Sequence, residues 1–447
     1  MGLLQKKAAM GEGNLDGEYP VGRRTSNFRI IGLVSIGGAL VFYDFVVFAF
    51  LAPVIGKLFF PISVAPWLAT AQSFGIFAAG YFFRPLGGIV LAHCGDLFGR
   101  KYIFAFSILL VSAATLGIAV MPTYSTIGIA APLLLILLRI VQGIGIGAEV
   151  PGAWTLVAEQ SSRQRLGLGC GLVATGLSGG ILMASAIVAF VTCAFSDAQM
   201  DAFAWRIPFA LGALFSVPAI FIRWIVKESP RFAAHRRRQV LVPVSPLKSV
   251  LCEHRHAVAL CMLNTWMISA GILVTGLMTA SLLQTSYGIS AQHALWATSV
   301  GTLAFMFGTL AYGAMIDRFG IGPCLMGGSI QFAFASFTFY SLAGWSLPLL
   351  YPLYVWMGFA AGLIAAAPYI MVLSFPPRVR MTGISFSYNI AYAFFGGLTP
   401  GLIAGLVKLD RMAPAYYLLF IAFLACSIGC YISRHPQILQ PHAEPLP

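Results

Sequence analysis

Charge is what this chain lacks. Only 9% of its 447 residues are charged, and only 14 of these are acidic; an ordinary soluble domain carries about a quarter charged residues. A soluble fold of this make-up would have too little polar surface to cover its outside, so that class is excluded. The eight cysteines include no CxxC pair, and Cys426 and Cys430, spaced for one helix face, have no histidine or carboxylate beside them. Zinc takes about four ligands, so neither a metal nor a disulfide framework is expected. No GxxxxGKS/T segment is present, which removes ATP-driven transport. GIGIG (143–147) follows no strand, which removes a dinucleotide site. Histidines 93, 254, 256 and 293 are scattered, so no catalytic cluster, enzyme activity or cofactor is expected.

What is abundant is apolar: 59% of residues, with a mean hydropathy of +0.86. Runs long enough to cross a bilayer fall near 30–56, 68–92, 102–121, 127–151, 166–192 and 204–226. A second set follows near 257–283, 293–315, 322–343, 347–372, 383–407 and 414–433. About 20 helical residues cross a hydrocarbon core, and continuous apolar runs exclude a barrel. The expected fold is an all-α membrane protein of twelve spans. The boundaries read as a tail (1–29), a six-span bundle (30–226), a connector (227–256), a second bundle (257–434) and a tail (435–447).

The first 28 residues carry Lys6, Lys7, Arg23 and Arg24 without a cleavable apolar core, so the first span is expected to act as the insertion signal. With the amino terminus inside, the cytoplasmic side holds 21 Lys and Arg and the other side 4: Lys57, Arg206, Lys408 and Arg411. That bias places both termini in the cytoplasm and assigns the net charge of +13 to loops at an anionic leaflet, not to nucleic acid. The basic stretch KESPRFAAHRRRQ (227–239) reads as a solvated linker. GDLFGRK (95–101) and IDRFGIG (316–322) follow equivalent spans of the two halves, with Asp96 and Asp317 221 residues apart, as a duplicated unit would place them.

An ionised side chain at mid-membrane costs about 2.5–3.5 kcal/mol on insertion scales, so each one there needs a reason. Asp44, Arg84, Arg139, Glu149 and Arg206 all belong to the first half, and the second half has none within its spans. Asp44 and Glu149 each read as a proton carrier or as a structural partner of an arginine. Gln142 and Glu149 share a helix face, and Arg139 neighbours Gln142. Arg84 is followed by Pro85, which marks a break, and its two-pronged donor suits a carboxylate. Arg206 reads equally as an interfacial anchor or a binding residue. Asn264, Gln331, Tyr388, Asn389 and Tyr392 are candidates to face a central cavity from the second half, and Tyr43 and Gln142 are candidate substrate contacts from the first. Glycine pairs 167/171, 176/180 and 358/362, and the series 397/401/405, read as helix packing. Pro53, Pro218, Pro368 and Pro400 are expected to loosen their helices.

From about residue 30 to 434 the chain resembles the major facilitator superfamily, through GDLFGRK after the second span and RIVQG in the fourth. YDF (43–45), FFP (59–61), RPLGG (84–88), RIVQGIGIGAE, WRIPF, ESPRF and FGGLTP narrow the resemblance to the metabolite:proton symporter family. That family includes citrate, α-ketoglutarate, shikimate and proline/betaine permeases. The resemblance implies an inner gate of Gly95, Asp96, Gly99, Arg100 and Lys101 with Asp317 and Arg318. It also implies proton coupling through Arg139, and substrate or coupling roles for Arg84 and Arg206. Val41 stands where relatives commonly have Glu, which leaves Asp44 without that acidic neighbour and the coupling stoichiometry open; Ile321 and Gly322 stand where they often have basic residues, so the cytoplasmic gate is expected to be asymmetric. The expected activity is proton-coupled symport of a small di- or tricarboxylate by a monomeric inner-membrane transporter, with three arginines set against two carboxylates. Its rivals are uptake of a zwitterionic osmolyte of the proline/betaine kind, or a non-transporting sensor.

Overall fold

The computed structural model describes residues 28–61, 63–98, 100–225, 246–377 and 379–439; the side chains of 92–104, 223–225 and 246 lie outside that description. The expected spans fall on twelve helices. In the first half they are α1 (Phe28–Phe50, running on as Ala52–Phe59), α2 (Pro66–Phe82 with Arg84–Phe98), α3 (Arg100–Val120), α4 (Ala130–Gln160), α5 (Leu166–Ala194) and α6 (Arg206–Ile225). In the second they are α7 (Arg255–Tyr287), α8 (Ala291–Phe319), α9 (Ile321–Leu342), α10 (Leu347–Ser374), α11 (Arg380–Leu406) and α12 (Ala413–Arg434). No strand occurs among the described residues. Large apolar side chains such as Phe190, Phe221, Phe307, Phe334 and Phe423 stand outward, as a lipid-facing surface requires. A short helix, Pro246–Glu253, precedes α7, so the connector is not wholly irregular.

Several helices are broken where proline removes a backbone donor. α1 restarts after Leu51 with Pro53 at its new beginning. α2 breaks at Phe83, just before Arg84–Pro85. α10 passes through a 3₁₀ stretch, Gly362–Ala365, ahead of Pro368. α11 passes through a π turn, Tyr392–Gly396, ahead of Pro400. Pro218 is the exception: α6 runs through it unbroken.

Glycine sets the closest approach in the first half. A methyl group at Gly143 would overlap the carbonyl oxygen of Gly80, one at Gly87 the carbonyl of Ile144, and one at Gly147 the carbonyl of Arg84. α2 and α4 therefore touch backbone to backbone, and that crossing fixes where Arg84 and Arg139 start. Gly167 and Gly171 pack on α8, Gly176 and Gly180 on α1, and Gly358 and Gly362 on α8. Gly401 and Gly405 face open space, so the packing reading fails for them; only Gly397 of that series meets another helix, against Phe82.

The halves α1–α6 and α7–α12 meet along two seams. α5 and α8 touch from end to end through Thr175–Thr309 at 2.7 Å, Ser185–Ser299 at 2.9 Å and Gln292–Cys193 at 3.4 Å. Along α2 and α11, Tyr81 stacks on Tyr392 at 5.1 Å, and the Lys408 ammonium lies on the Trp67 ring. Thr155 of α4 reaches the Met381 sulfur at 3.5 Å. The halves thus touch at both ends of the bundle.

Candidate functional site

Arg84 is wholly buried where the halves meet. The break at Phe83 ends one helical segment, and the next starts with Arg84, pointing its side chain back toward the preceding turn. There the guanidinium lies 4.7 Å from the Tyr392 ring, 5.0 Å from Tyr388, 5.6 Å from Tyr81 and 6.0 Å from Phe45. Nη2 donates to the Tyr388 hydroxyl at 3.4 Å, while Nε and Nη1 have no partner. Trp154 of α4 meets Tyr388 edge-on at 4.9 Å, its own Nε1 buried and unpartnered. Ring faces supply negative potential to a cation without carrying formal charge. Two donors of a buried cation are left available to an anion.

Asn389, one residue on from Tyr388, crosses to the other half: its Nδ2 donates to the Gly147 carbonyl at 2.8 Å, at the bend in α4 between Ile146 and Glu149. Ser385, one turn back, lies 3.3 Å from the same nitrogen and 3.4 Å from the Gly88 carbonyl. Tyr388, Asn389 and Tyr392 are therefore brought together with Arg84, although the sequence separates them by about 300 residues.

The other candidates lie elsewhere. Arg139 sits inside the first half, its guanidinium over Phe45, Phe77 and Phe48 at 4.3, 4.7 and 4.8 Å. Nη1 donates to the Phe45 carbonyl (3.1 Å) and to Gln142 Oε1 (2.6 Å). Gln142 passes the chain on, donating to Thr115 Oγ1 at 2.7 Å and to the Asp44 carbonyl at 3.4 Å. Asp44 itself faces α6: Oδ2 accepts from Ser216 Oγ at 2.7 Å, and Oδ1 lies against Gly212 without a donor. Its structural alternative, an arginine partner, is not what the carboxylate meets. Glu149 accepts from Ser107 of α3 at 2.9 Å, on the same side of α4 as Gln142.

Beside Gln142, three further candidates for substrate contact bond to protein atoms away from Arg84. Tyr43 turns to α6, where its hydroxyl donates to the Pro208 carbonyl at 2.8 Å and its ring packs on Phe215. Arg206 lies at the rim: it donates to the carbonyls of Ala202 and Met121 at 3.2 and 3.1 Å and covers the Trp205 ring, the anchor geometry. Asn264 stays within the second half, donating to the Ala367 carbonyl at 2.9 Å. Gln331 accepts from Tyr312 at 2.8 Å between α8 and α9, away from the seams. Sequence reasoning missed Tyr81, Trp154, Thr115 and Ser216. Tyr81 carried a signal, three residues before Arg84 on one helix face; the others show themselves only through long-range contacts.

The gate residues divide by what is described. The side chains of Asp96, Arg100 and Lys101 lie outside the described residues, as do Gly99 and the surroundings of Gly95. Asp317 is described: Oδ1 accepts from the Gly167 amide at 2.7 Å and Oδ2 from the Leu168 amide at 2.8 Å. A carboxylate of α8 thus closes the open N–H groups at the start of α5, across the halves. Arg318 lies over its neighbour Phe319 at 5.2 Å. Asp317→Asn is expected to weaken this closure by about 1–2 kcal/mol, roughly tenfold in the opened population. Site-resolved thiol labelling of the buried Cys170 on α5 checks it, and should rise by that factor.

Residues 34–400 match the family model of the Major Facilitator Superfamily. The chain is 29% identical to the proline/betaine transporter of Salmonella typhimurium, over 90% of this chain and 82% of that one. It is 30% identical to an inner membrane metabolite transport protein of Escherichia coli, over 88% and 90% of the two chains. In fold it is similar to the E. coli xylose transporter in a partially occluded inward-open conformation, with a TM-score of 0.71 at 17% identity, covering 91% and 97%. Twelve helices in two bundles, a polar cluster held between them and these matches agree: the chain is a multi-pass membrane transporter belonging to the major facilitator superfamily, of the metabolite transporter kind that includes proline/betaine permeases.

Proposed function

We propose that the chain carries a small zwitterion, one carboxylate plus one cationic nitrogen in the manner of proline or betaine, in symport with protons by alternating access. One observation carries the reading: Arg84 stands between the halves among Tyr81, Tyr388, Tyr392 and Phe45, with two donors unpartnered. One guanidinium balances one carboxylate, and the ring faces take the cationic nitrogen. A di- or tricarboxylate would bring a second and third negative charge, and the next described cation, Arg139, stands on the Phe45 ring shared with Arg84 and is already bonded to protein oxygens through Nη1. The expectation of an organic acid rested on three arginines acting together. Arg139 also keeps two unpartnered donors, Nε and Nη2, but its Nη1 is bonded within the first half and Arg206 lies at the rim, so the three arginines do not converge on one place. The relatives named as proline/betaine transporters point the same way.

Asp44 is the proposed proton carrier, with Gln142 and Arg139 linking its backbone to α4. Its carboxyl has one oxygen on Ser216 and one without a donor, so gain or loss of a proton changes the bonding between α1 and α6. In this reading the chain is a monomer of the bacterial inner membrane with its termini and the Asp317 end in the cytoplasm, an orientation that the lysine and arginine bias supports.

Reconstituted vesicles with an imposed proton gradient test the reading. Labelled proline or glycine betaine should accumulate, collapse with a protonophore, and be indifferent to citrate; uptake of citrate with no response to either zwitterion would overturn it. Asp44→Asn is expected to abolish gradient-driven accumulation while leaving solute exchange at roughly the wild-type rate. Full accumulation by that variant would remove Asp44 from coupling.

A further inference from the structure

We infer that Asn389 reads the hydrogens on the substrate's cationic nitrogen and so sets the preference between zwitterions that carry N–H groups and those that carry none. The inference rests on the zwitterion reading above and narrows it to one side-chain oxygen.

Asn389 is buried and is held by atoms of the opposite half. Its Nδ2 donates to the Gly147 carbonyl. A carbonyl oxygen cannot donate, so this contact fixes which way the amide faces. Oδ1 is therefore the atom turned away, and it is buried with no donor. Buried amide oxygens left in that state are few, and each calls for an explanation. Asn264 also has a buried Oδ1 without a donor, but its amide is tied to Ala367 inside the second half. Gln72 Oε1 is a third such oxygen, and of the three Asn389 is the one whose amide is hydrogen-bonded to the other half, where a carried solute must sit.

Its place relative to Arg84 fits a small solute. The part of α2 that faces Asn389 is Gly88: a methyl there would come 2.5 Å from Nδ2 and 2.9 Å from Ser385 Oγ. Gly88 is one turn from Arg84, an advance of about 6 Å along the helix. An amino acid bridging two hydrogen bonds of about 2.9 Å each spans an offset of that order. With its carboxylate on the Nη1–Nη2 edge of the Arg84 guanidinium, where only one N–H is taken by Tyr388, a secondary ammonium can give an N–H to Asn389 Oδ1. A trimethylammonium has none to give. The faces of Tyr388, Tyr392 and Trp154 serve either cation alike, so the oxygen is what tells them apart. A site built to accept a particular hydrogen bond discriminates more strongly than one that only fits a shape.

The test is kcat/KM for proline and for glycine betaine, measured with the full chain in vesicles. In Asn389→Leu the value for proline is expected to fall about tenfold or more relative to that for betaine. Loss of the Gly147 contact will slow both solutes, so the ratio, not either rate, is the readout. Ser385→Ala keeps the oxygen and removes a neighbour of Nδ2 together with the contact to the Gly88 carbonyl; it should leave the ratio unchanged, whatever it does to either rate. If leucine disrupts packing, Asn389→Ala is expected to move the ratio in the same direction. An equal loss for both solutes in the Asn389 variants, or a shift toward proline, overturns the assignment while the zwitterion reading stands. Failure of the wild type to carry either solute overturns the zwitterion reading, and this assignment with it.

Discussion

Arg84→Lys is expected to weaken substrate binding by about 3 kcal/mol, roughly a hundredfold, although the positive charge is kept. The reason is geometric. The guanidinium offers a planar fork, Nη1 beside Nη2, of which a single N–H is taken by its one protein partner, the Tyr388 hydroxyl, while Nε and Nη1 have none. An ammonium is a single point that would satisfy itself on that hydroxyl and the surrounding ring faces. A second variant separates function from structure. A buried cation with donors left unpaired is a burden on the fold, and replacing such a group by a well-packed apolar one is often stabilising. Arg84→Leu is therefore expected to melt at or above the wild-type temperature while binding nothing. Measured by thermal unfolding in detergent beside uptake in vesicles, a less stable Arg84→Leu that still transported would make Arg84 a structural residue.

Gly143→Ala is expected to have the larger effect on the fold, although it adds one methyl group. Most overpacked sites recover by shifting a flexible side chain, at a cost of about 1–3 kcal/mol. Here the obstacle is the backbone carbonyl of Gly80, itself inside a helix, so α2 and α4 must separate as bodies. Separation would move the starts of Arg84 and Arg139 together, and with them the contacts to Tyr388, Phe45 and Gln142. The expected result is a drop in monodisperse yield of about tenfold or more and loss of transport in the remainder. Gly401→Ala and Gly405→Ala are the matched controls, since both glycines face open space and should behave as wild type. Normal yield for Gly143→Ala would mean that the crossing is not as tight as the backbone contact implies.

The twelve helices were legible because lipid imposes one requirement on every span: a long apolar run with few charges, which the order of residues reveals. The breaks were partly legible. Proline marks α1, α2, α10 and α11 because a missing N–H leaves a carbonyl unbonded, yet the same cue misled at Pro218, where α6 absorbs it. The site was legible only in its first member. Arg84 stood out because charge is rare, and Tyr81 lay within reach of the same reasoning. Trp154 and Ser216 resemble any buried tryptophan or serine until the partner helix is in place. Arg206 and Tyr43 show the opposite case: each sits in a family-like motif, but the hydrogen bonds of Arg206 go to Met121 and Ala202, its anchor alternative, and that of Tyr43 to Pro208 on α6. Motif membership located them in the chain and said nothing about which way they face.

The grip of Asp317 on the amides of Gly167 and Leu168 has a consequence for how this molecule can be studied through its natural variants. An acid that holds another side chain leaves paired changes across a family, one residue answering the other. An acid that holds main chain has no partner able to mutate in reply. Correlated-substitution methods would therefore pass over a contact that joins the two halves, and only perturbing the acid itself, or inserting proline at residue 168, would bring it to light.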